Sequence, residues 1–271
     1  MQVSFITANY VARESGYAMN PFNWGAADKA TVEAFHGPNS AAKFDELCRL
    51  VSEAGFKYID IWVAHLNPFV ASRSQVEDAV ASLKKHKLTC VAYTGGLGRP
   101  DNISRAEAVK VYQVANAIGA PKLGVGLNPT NARMAYDLGK EYGVKYAIEN
   151  HPEKNPQEVL ARIGDYGEVI GIAQDTGFWG QFGYDAIKAT HELKDHLFHM
   201  HLKQVHETPN GWHSCAYDDG VVNIFGVVKA LKEIGYTGSV SVEHEPAHED
   251  PMPAVVHSAE LLRTWLGDQN E

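Results

Sequence analysis

Four segments of the sequence bring a metal-ligating or acid–base side chain to the end of an apolar run. VKYAIENH (residues 144–151) carries Glu149, VIGIAQD ends in Asp175, LFHMHLK carries His201 and SVSVEHE carries Glu243. In the first, Val144, Tyr146 and Ile148 alternate with Ala147, Glu149 and His151, which is the period of a strand with two different faces. A carboxylate on the inner face of a buried strand needs a compensating partner or an open site at the strand's carboxyl end. In the other three, Ile170 and Ile172, Phe198 and Met200, and Val240 and Val242 take the positions that face helices. Gly171 and Ala173, His199, and Ser239 and Ser241 then lie inward, beneath the polar ends. Three carboxylates and an imidazole brought together repel one another and shift their pKa values unless a cation sits among them. One divalent metal ion resolves this. Three oxygen ligands and one nitrogen suit a hard ion with open positions, which places Mn²⁺ or Mg²⁺ ahead of Co²⁺ and Zn²⁺. Singly, Asp175 reads equally well as a cap on the next turn and His201 as a satisfied core histidine. The set of four on successive strand ends is what points to a metal.

These side chains meet only if their strands are neighbours, so the order of elements decides the matter. A first strand over 3–9 precedes a long connection, 10–39, that holds Tyr10, Tyr17, Phe22, Trp24, Phe35 and His36 and is too aromatic for disorder. Phe44, Leu47, Cys48 and Val51 then fall at helical spacing behind Ser40, and KYIDIWV makes a second strand. The unit repeats. Helices are predicted over 75–86, from Ser104 (with Glu107 in capping-box spacing), over 129–142 and from Asn155–Pro156; the strands between them are LTCVAY, 122–127 and VKYAIENH. After the strand ending in Asp175 come a helix over 184–194, the His201 strand, a second long loop over 204–222, a helix carrying Ile224, Val227, Val228 and Leu231, the Glu243 strand and a last helix over 253–266. Eight strands alternating with eight helices, with no antiparallel hairpin signal, predict an α/β fold of one domain over 1–271, a closed (β/α)8 TIM barrel. An open doubly wound sheet would want a glycine-rich turn after its first strand, and NYVARESG is not one; nor is there a GxxxxGK[ST].

Composition sets the partners. A formal net charge of −9 argues against nucleic acid. No run approaches the roughly 20 apolar residues of a membrane span, and MQVSFITANYVARE lacks a basic start followed by an apolar run and cleavage site, so a cytoplasmic protein with no membrane partner is expected. Cys48, Cys90 and Cys215 are scattered and form neither a disulfide framework nor a CxxC clip.

The chain resembles the xylose-isomerase-like family of TIM-barrel sugar isomerases and epimerases, over essentially its whole length. The resemblance rests on AIENH, AQDTG, HMHLK, the run DDGVVNIFGVVKALKEIGYTG and SVSVEHE. It implies a divalent cation held by Glu149, Asp175, His201 and Glu243, a small carbohydrate substrate, and isomerase or epimerase chemistry through a metal-stabilised enediolate with Glu149 and Glu243 as acid and base. The physics is compatible: a metal polarises vicinal oxygens and acidifies the carbon between them. Two departures stand out. Many ketose epimerases of the family have a histidine where this chain has Phe178, and an arginine where it offers Gln204, His206 and Glu207. Those two substrate contacts are not carried over.

Three further residues are candidates for substrate binding. His65 lies just past the second strand, His151 alternates inward with Glu149, and Lys203 alternates inward after His201. His199 sits a layer lower, where a buried hydrogen bond is the expected role, and Asp60 and Trp62 point inward on the second strand. The first-loop aromatics suit a sugar face or a contact between copies in a homo-oligomer. The leading alternative activity is a metal-dependent lyase or dehydratase of an inosose or oxidised glycoside, which uses the same enediolate to expel a β-substituent. A multi-zinc hydrolase needs more ligands and a basic face, and a metal-retaining binding protein shares the fold without turnover.

Overall fold

The computed structural model describes residues 1–97, 103–209 and 211–267. Eight parallel strands close into a barrel: β1 (Gln2–Ile6), β2 (Tyr58–Trp62), β3 (Thr89–Thr94), β4 (Lys122–Val125), β5 (Lys145–Glu149), β6 (Ile170–Asp175), β7 (Leu197–Thr208) and, after an intervening β8 (Gly211–Cys215), β9 (Ser239–Glu243). β1 to β6 pair in sequence, β6 pairs with β7, β7 with β9, and β9 with β1, all in parallel. The predicted barrel is therefore the observed one. Helices α1 (Trp24–His36), α2 (Ser40–Glu53), α3 (Arg73–Lys85), α4 (Arg105–Ala117), α5 (Ala132–Tyr142), α6 (Pro156–Ala161), α7 (Thr176–Phe182), α8 (Ala186–Leu193), α9 (Ile224–Glu233) and α10 (Met252–Leu266) accompany the strands. None of them is long and apolar enough to cross a membrane.

Local chemistry explains most of the boundaries. Capping boxes at Ser72 with Gln75 and at Ser104 with Glu107 start α3 and α4, and Asn155 with Pro156 starts α6. Amphipathic helices bury an apolar stripe; in α2 this is Phe44, Leu47, Cys48 and Val51, and in α9 Ile224, Val227, Val228 and Leu231. Cys48, Cys90 and Cys215 are buried free thiols.

Two predicted connections are not plain loops. The 10–39 connection contains α1, which escapes notice because its buried stripe is only Ala27, Thr31 and Phe35, with Asn23 capping through a bond from Ala26 N (2.8 Å). The predicted 204–222 loop begins as a hairpin instead. β7 runs on to Thr208 and pairs antiparallel with β8, His206 opposite His213; Asn210 lies outside the described residues. The Asn210–Gly211 pair is a hairpin-turn signal in its own right. A seventh, short helix, α7, also follows directly on β6, where none is predicted.

Candidate active site

Register brings the four strand-end residues together. Asp175 on β6 lies beside His201 on β7, and Lys203, two residues on, lies beside Glu243 on β9. β5 adjoins β6 and delivers Glu149 to the same end. His201 Nδ1 lies 2.6 Å from Glu149 Oε1 and 3.3 Å from Glu243 Oε2. Ligand atoms of Glu149, His201 and Glu243 all fall within 4.8 Å of one another. Asp175 joins through Lys203, whose Nζ is 3.8 Å from Asp175 Oδ2 and 2.8 Å from Glu243 Oε1.

Side chains clamp the strand ends where the backbone ladder stops. Asn150 holds β5 to β6, donating to Asp175 O (2.9 Å) and accepting from Asp175 N (2.7 Å). Thr176 holds β6 to β7, donating to Lys203 O (2.8 Å) and accepting from Lys203 N (2.9 Å). Asn9 does the same between β1 and β9 through Val242 O and His244 N. Ligand-bearing residues are thus fixed by their neighbours rather than by loop packing.

Asp175 divides its carboxylate between two tasks. Oδ1 caps α7, accepting from Gly177 N at 2.6 Å and Phe178 N at 3.3 Å, while Oδ2 is buried with no hydrogen bond among the described residues. Glu243 Oε2 is likewise buried and unbonded among the described residues. Glu149, His201 and Glu243 offer ligand atoms within 4.8 Å of one another, with the unbonded Asp175 oxygen on the neighbouring strand, a donor set that a hard divalent cation would satisfy, so the residues fit such an ion. Electrostatics agrees. Burial, with Glu243 and Glu149 nearby, pushes the Asp175 pKa well above the carboxylate range. Burial works against charge on His201, but Glu243, Asp60 and Glu149 outweigh it and hold the imidazole pKa well above its ordinary value.

Lys203 is the internal cation of this cluster. It also contacts Glu245, and its Nζ stands 5.6 Å above the Phe178 ring. Burial disfavours its charge; Glu243, Glu245 and Asp175 more than compensate and hold its pKa well up. Its stem lies against Gly177, where an added Cβ would come within 2.9 Å of Lys203 Cδ, so glycine is the residue that admits the lysine. Of the other candidates, His151 is exposed at the rim with its ring stacked on Phe178 (centroids 4.3 Å apart). His65 is buried edge-on to Phe35 and Trp62, and burial lowers its pKa to about 3. Trp62 packs in turn against Trp24.

Glu245 has no place in the sequence-based expectations, and Asp60, expected only to point inward, has no role there. Glu245 shares the inward face with Glu243; burial and the Glu243 charge push its carboxyl up to about 8, and the second glutamate of VEHE was the available signal. Asp60 is fully buried one layer lower, 2.8 Å from His199 Nε2 and 3.4 Å from His201 Nε2. A cavity of about 370 Å³, lined by Lys122, Lys145 and Lys194, opens at the opposite end of the barrel, away from these carboxylates.

A family model described as xylose isomerase-like TIM barrel matches residues 130–265. An uncharacterised protein of Methanocaldococcus jannaschii is 28% identical over 151 residues, 50% of this chain; the chain spans about half the length of that relative, 47%. The 2-oxo-tetronate isomerase of Haemophilus influenzae is 24% identical over 235 residues, covering 73% of this chain and 86% of that enzyme. Among solved structures, a xylose isomerase-like TIM barrel protein from Mycobacterium smegmatis in complex with magnesium superposes with a TM-score of 0.70 at 17% identity, over 84% of this chain and 89% of the other.

Proposed function

Because this chain belongs to the xylose isomerase-like TIM barrel family, we propose that it is a divalent-metal-dependent isomerase or epimerase of a sugar, keto-sugar or polyol, with Glu149 and Glu243 as its acid and base. The observation that carries the proposal is the cluster at the strand ends, in which Glu149 and Glu243 approach the same His201 nitrogen and buried carboxylate oxygens are left without partners. Glu149, Asp175, His201 and Glu243 would hold the ion, Mn²⁺ or Mg²⁺ before Co²⁺ or Zn²⁺. When bound, it supplies polarisation of two vicinal substrate oxygens and stabilisation of the enediolate.

The chain's own groups do the rest. Glu149 and Glu243 come from strands on either side of His201 in the barrel order, so one is placed to take the proton α to a carbonyl and the other to return it. Lys203 keeps its charge and orients an anionic or hydroxyl oxygen of the substrate beside Glu243. His151, stacked on Phe178, offers a ring nitrogen at the rim, and His65, enclosed by Phe35 and Trp62, lies past the end of β2. The substrate is a small carbohydrate handled in the cytoplasm. Loss of a β-substituent, the lyase alternative, draws on the same residues, with Lys203 as the cation beside the departing oxygen.

Elemental analysis of protein purified without chelator, followed by reaction in D₂O with a panel of sugars and keto-sugars, tests the proposal. One equivalent of divalent metal and deuterium on the carbon α to the carbonyl are expected. An isomeric product marks an epimerase or isomerase, and released water or aglycone marks a lyase. A protein that takes up no divalent metal overturns the reading.

A further inference from the structure

We propose that Asp60, buried beneath the carboxylate cluster, is a positioning residue that fixes the His201 ring and commits its Nδ1 to a divalent cation. The inference rests on the metal-dependent reading above.

A carboxylate in the dry interior of a barrel is costly to bury, and an apolar residue would fill the space without that penalty. Asp60 is 0% exposed and yet has every means to stay ionised. Thr94 Oγ1 donates to its Oδ1 at 2.6 Å; Ser241 Oγ and His199 Nε2 donate to its Oδ2 at 3.0 and 2.8 Å. These donors come from β3, β9 and β7, so three strands hold the carboxylate in place. His199 is held in turn, its Nδ1 2.9 Å from Ser239 Oγ, which accepts from Lys122 Nζ at 2.6 Å.

An ionised carboxylate only accepts hydrogen bonds. With a cation taking the Nδ1 side among Glu149 and Glu243, the His201 nitrogen that faces Asp60, Nε2 at 3.4 Å, is the one that keeps its proton. That nitrogen is buried and has no hydrogen bond of its own among the described residues, while the ring is drawn the other way by Glu149, 2.6 Å from Nδ1. Asp60 is the anchor within reach on the Nε2 side. With the Nε2 proton directed there, Nδ1 is the nitrogen left for a cation beside Glu149, Glu243 and Asp175. Carboxylates placed behind a ligating imidazole orient the ring and raise its basicity. Asp60, His199 and His201 also lie close enough to suggest a second ion among themselves. Asp60 Oδ2 already accepts two hydrogen bonds, which favours the positioning role.

The test is a calorimetric titration of Mn²⁺ into metal-stripped parent and Asp60→Asn proteins, with long-range ¹H–¹⁵N spectra of the zinc-loaded parent to read which His201 nitrogen is protonated. Asp60→Asn is expected to bind about 10–100-fold more weakly, at one equivalent in the parent, and His201 is expected to show a proton on Nε2. Equal isotherms, a proton on Nδ1 in the zinc-loaded parent, or two equivalents of which Asp60→Asn loses one, overturn the proposal. A parent that binds no divalent ion overturns the metal reading instead. If Asp60→Asn does not fold, Thr94→Val removes one donor to Asp60 without touching His201. A several-fold weakening is then expected, and an unchanged affinity overturns the proposal.

Discussion

His199 and His201 sit two residues apart on the same strand and the same face, yet their surroundings drive them in opposite directions. Burial and the Lys122 charge push the His199 pKa down to about 4, and its two nitrogens are engaged by Ser239 and Asp60. His201 is held well above its ordinary value by Glu243, Asp60 and Glu149 despite equal burial, and its Nε2 has no hydrogen bond among the described residues. The lower layer of Asp60, Thr94, His199, Ser239 and Ser241 satisfies itself. In the upper layer Asp175 and Glu243 each keep an oxygen without a hydrogen bond among the described residues. Burial alone therefore does not mark a ligand site. What separates the upper layer from the lower is hydrogen-bonding capacity left open on adjoining carboxylates and an imidazole, which native interiors rarely leave so.

The contrast is broken most directly at its upper layer. Glu149→Gln and Glu243→Gln preserve volume but remove a base, and each should lower kcat/KM by about 10²–10⁴-fold. Metal content is measured on the same samples. If either variant keeps both its metal and its full rate, that glutamate is no acid or base.

Next in size is the removal of the internal cation. Lys203→Met leaves Glu243 and Glu245 without the ammonium they share, and breaking one partner of a buried pair costs about 3–5 kcal/mol. Urea unfolding in the presence of chelator should show this loss, and adding Mn²⁺ should restore part of it. A stability equal to the parent's would mean that the two carboxylates are protonated rather than paired.

The upper layer was legible in the sequence because a period of two and a strand end are both local signals. Glu149, Asp175, His201 and Glu243 each close an apolar alternation, and the barrel order follows from the repeating strand–helix unit. The lower layer was not legible to the same degree. Asp60 stands mid-strand in YIDIW, and its inward direction could be read, but its partners arrive from three other strands. Long-range pairing of that kind has no local signature. Asp175 was read as ligand or cap, and its two oxygens are differently engaged, which no residue-level pattern separates. The hairpin was missed because β7 carries His206 and Glu207 beyond the barrel, where polar residues look like loop.

A smaller effect follows from imidazoles that fold in their neutral form. His65 takes a proton near 6.5 when unfolded and only near 3 when buried against Phe35 and Trp62, with burial the main cause. Between those values the unfolded chain binds more protons. The contribution is complete above about pH 6.5 and is lost as the pH falls. At pH 5 the loss is about 2 kcal/mol, from roughly 1.4 kcal/mol per unit. Comparing urea midpoints at pH 7 and pH 5, His65→Gln should lose less stability than the parent by about that amount. Parallel losses would show that His65 titrates normally and that its enclosure is looser than its neighbours imply.

The smallest expected effect lies outside both layers, at the hairpin of β7 and β8. Ser214 Oγ accepts from Glu245 N at 2.9 Å, so β8 touches the segment that follows β9 and carries Glu245 toward Lys203. Shortening the hairpin between Glu207 and Trp212 leaves that contact and the barrel in place but alters what covers the carboxyl end. Loops at this end of a barrel set substrate choice more than chemistry. KM for the best substrate should therefore change by less than about tenfold, roughly 1.4 kcal/mol, with kcat and metal affinity near the parent's. Ser214→Ala tests the other route, since it removes the acceptor behind Glu245 and should act through Lys203 on kcat. If shortening the hairpin lowers kcat while Ser214→Ala does not, the hairpin tip enters the site itself, and the upper layer has a further member supplied from outside the barrel.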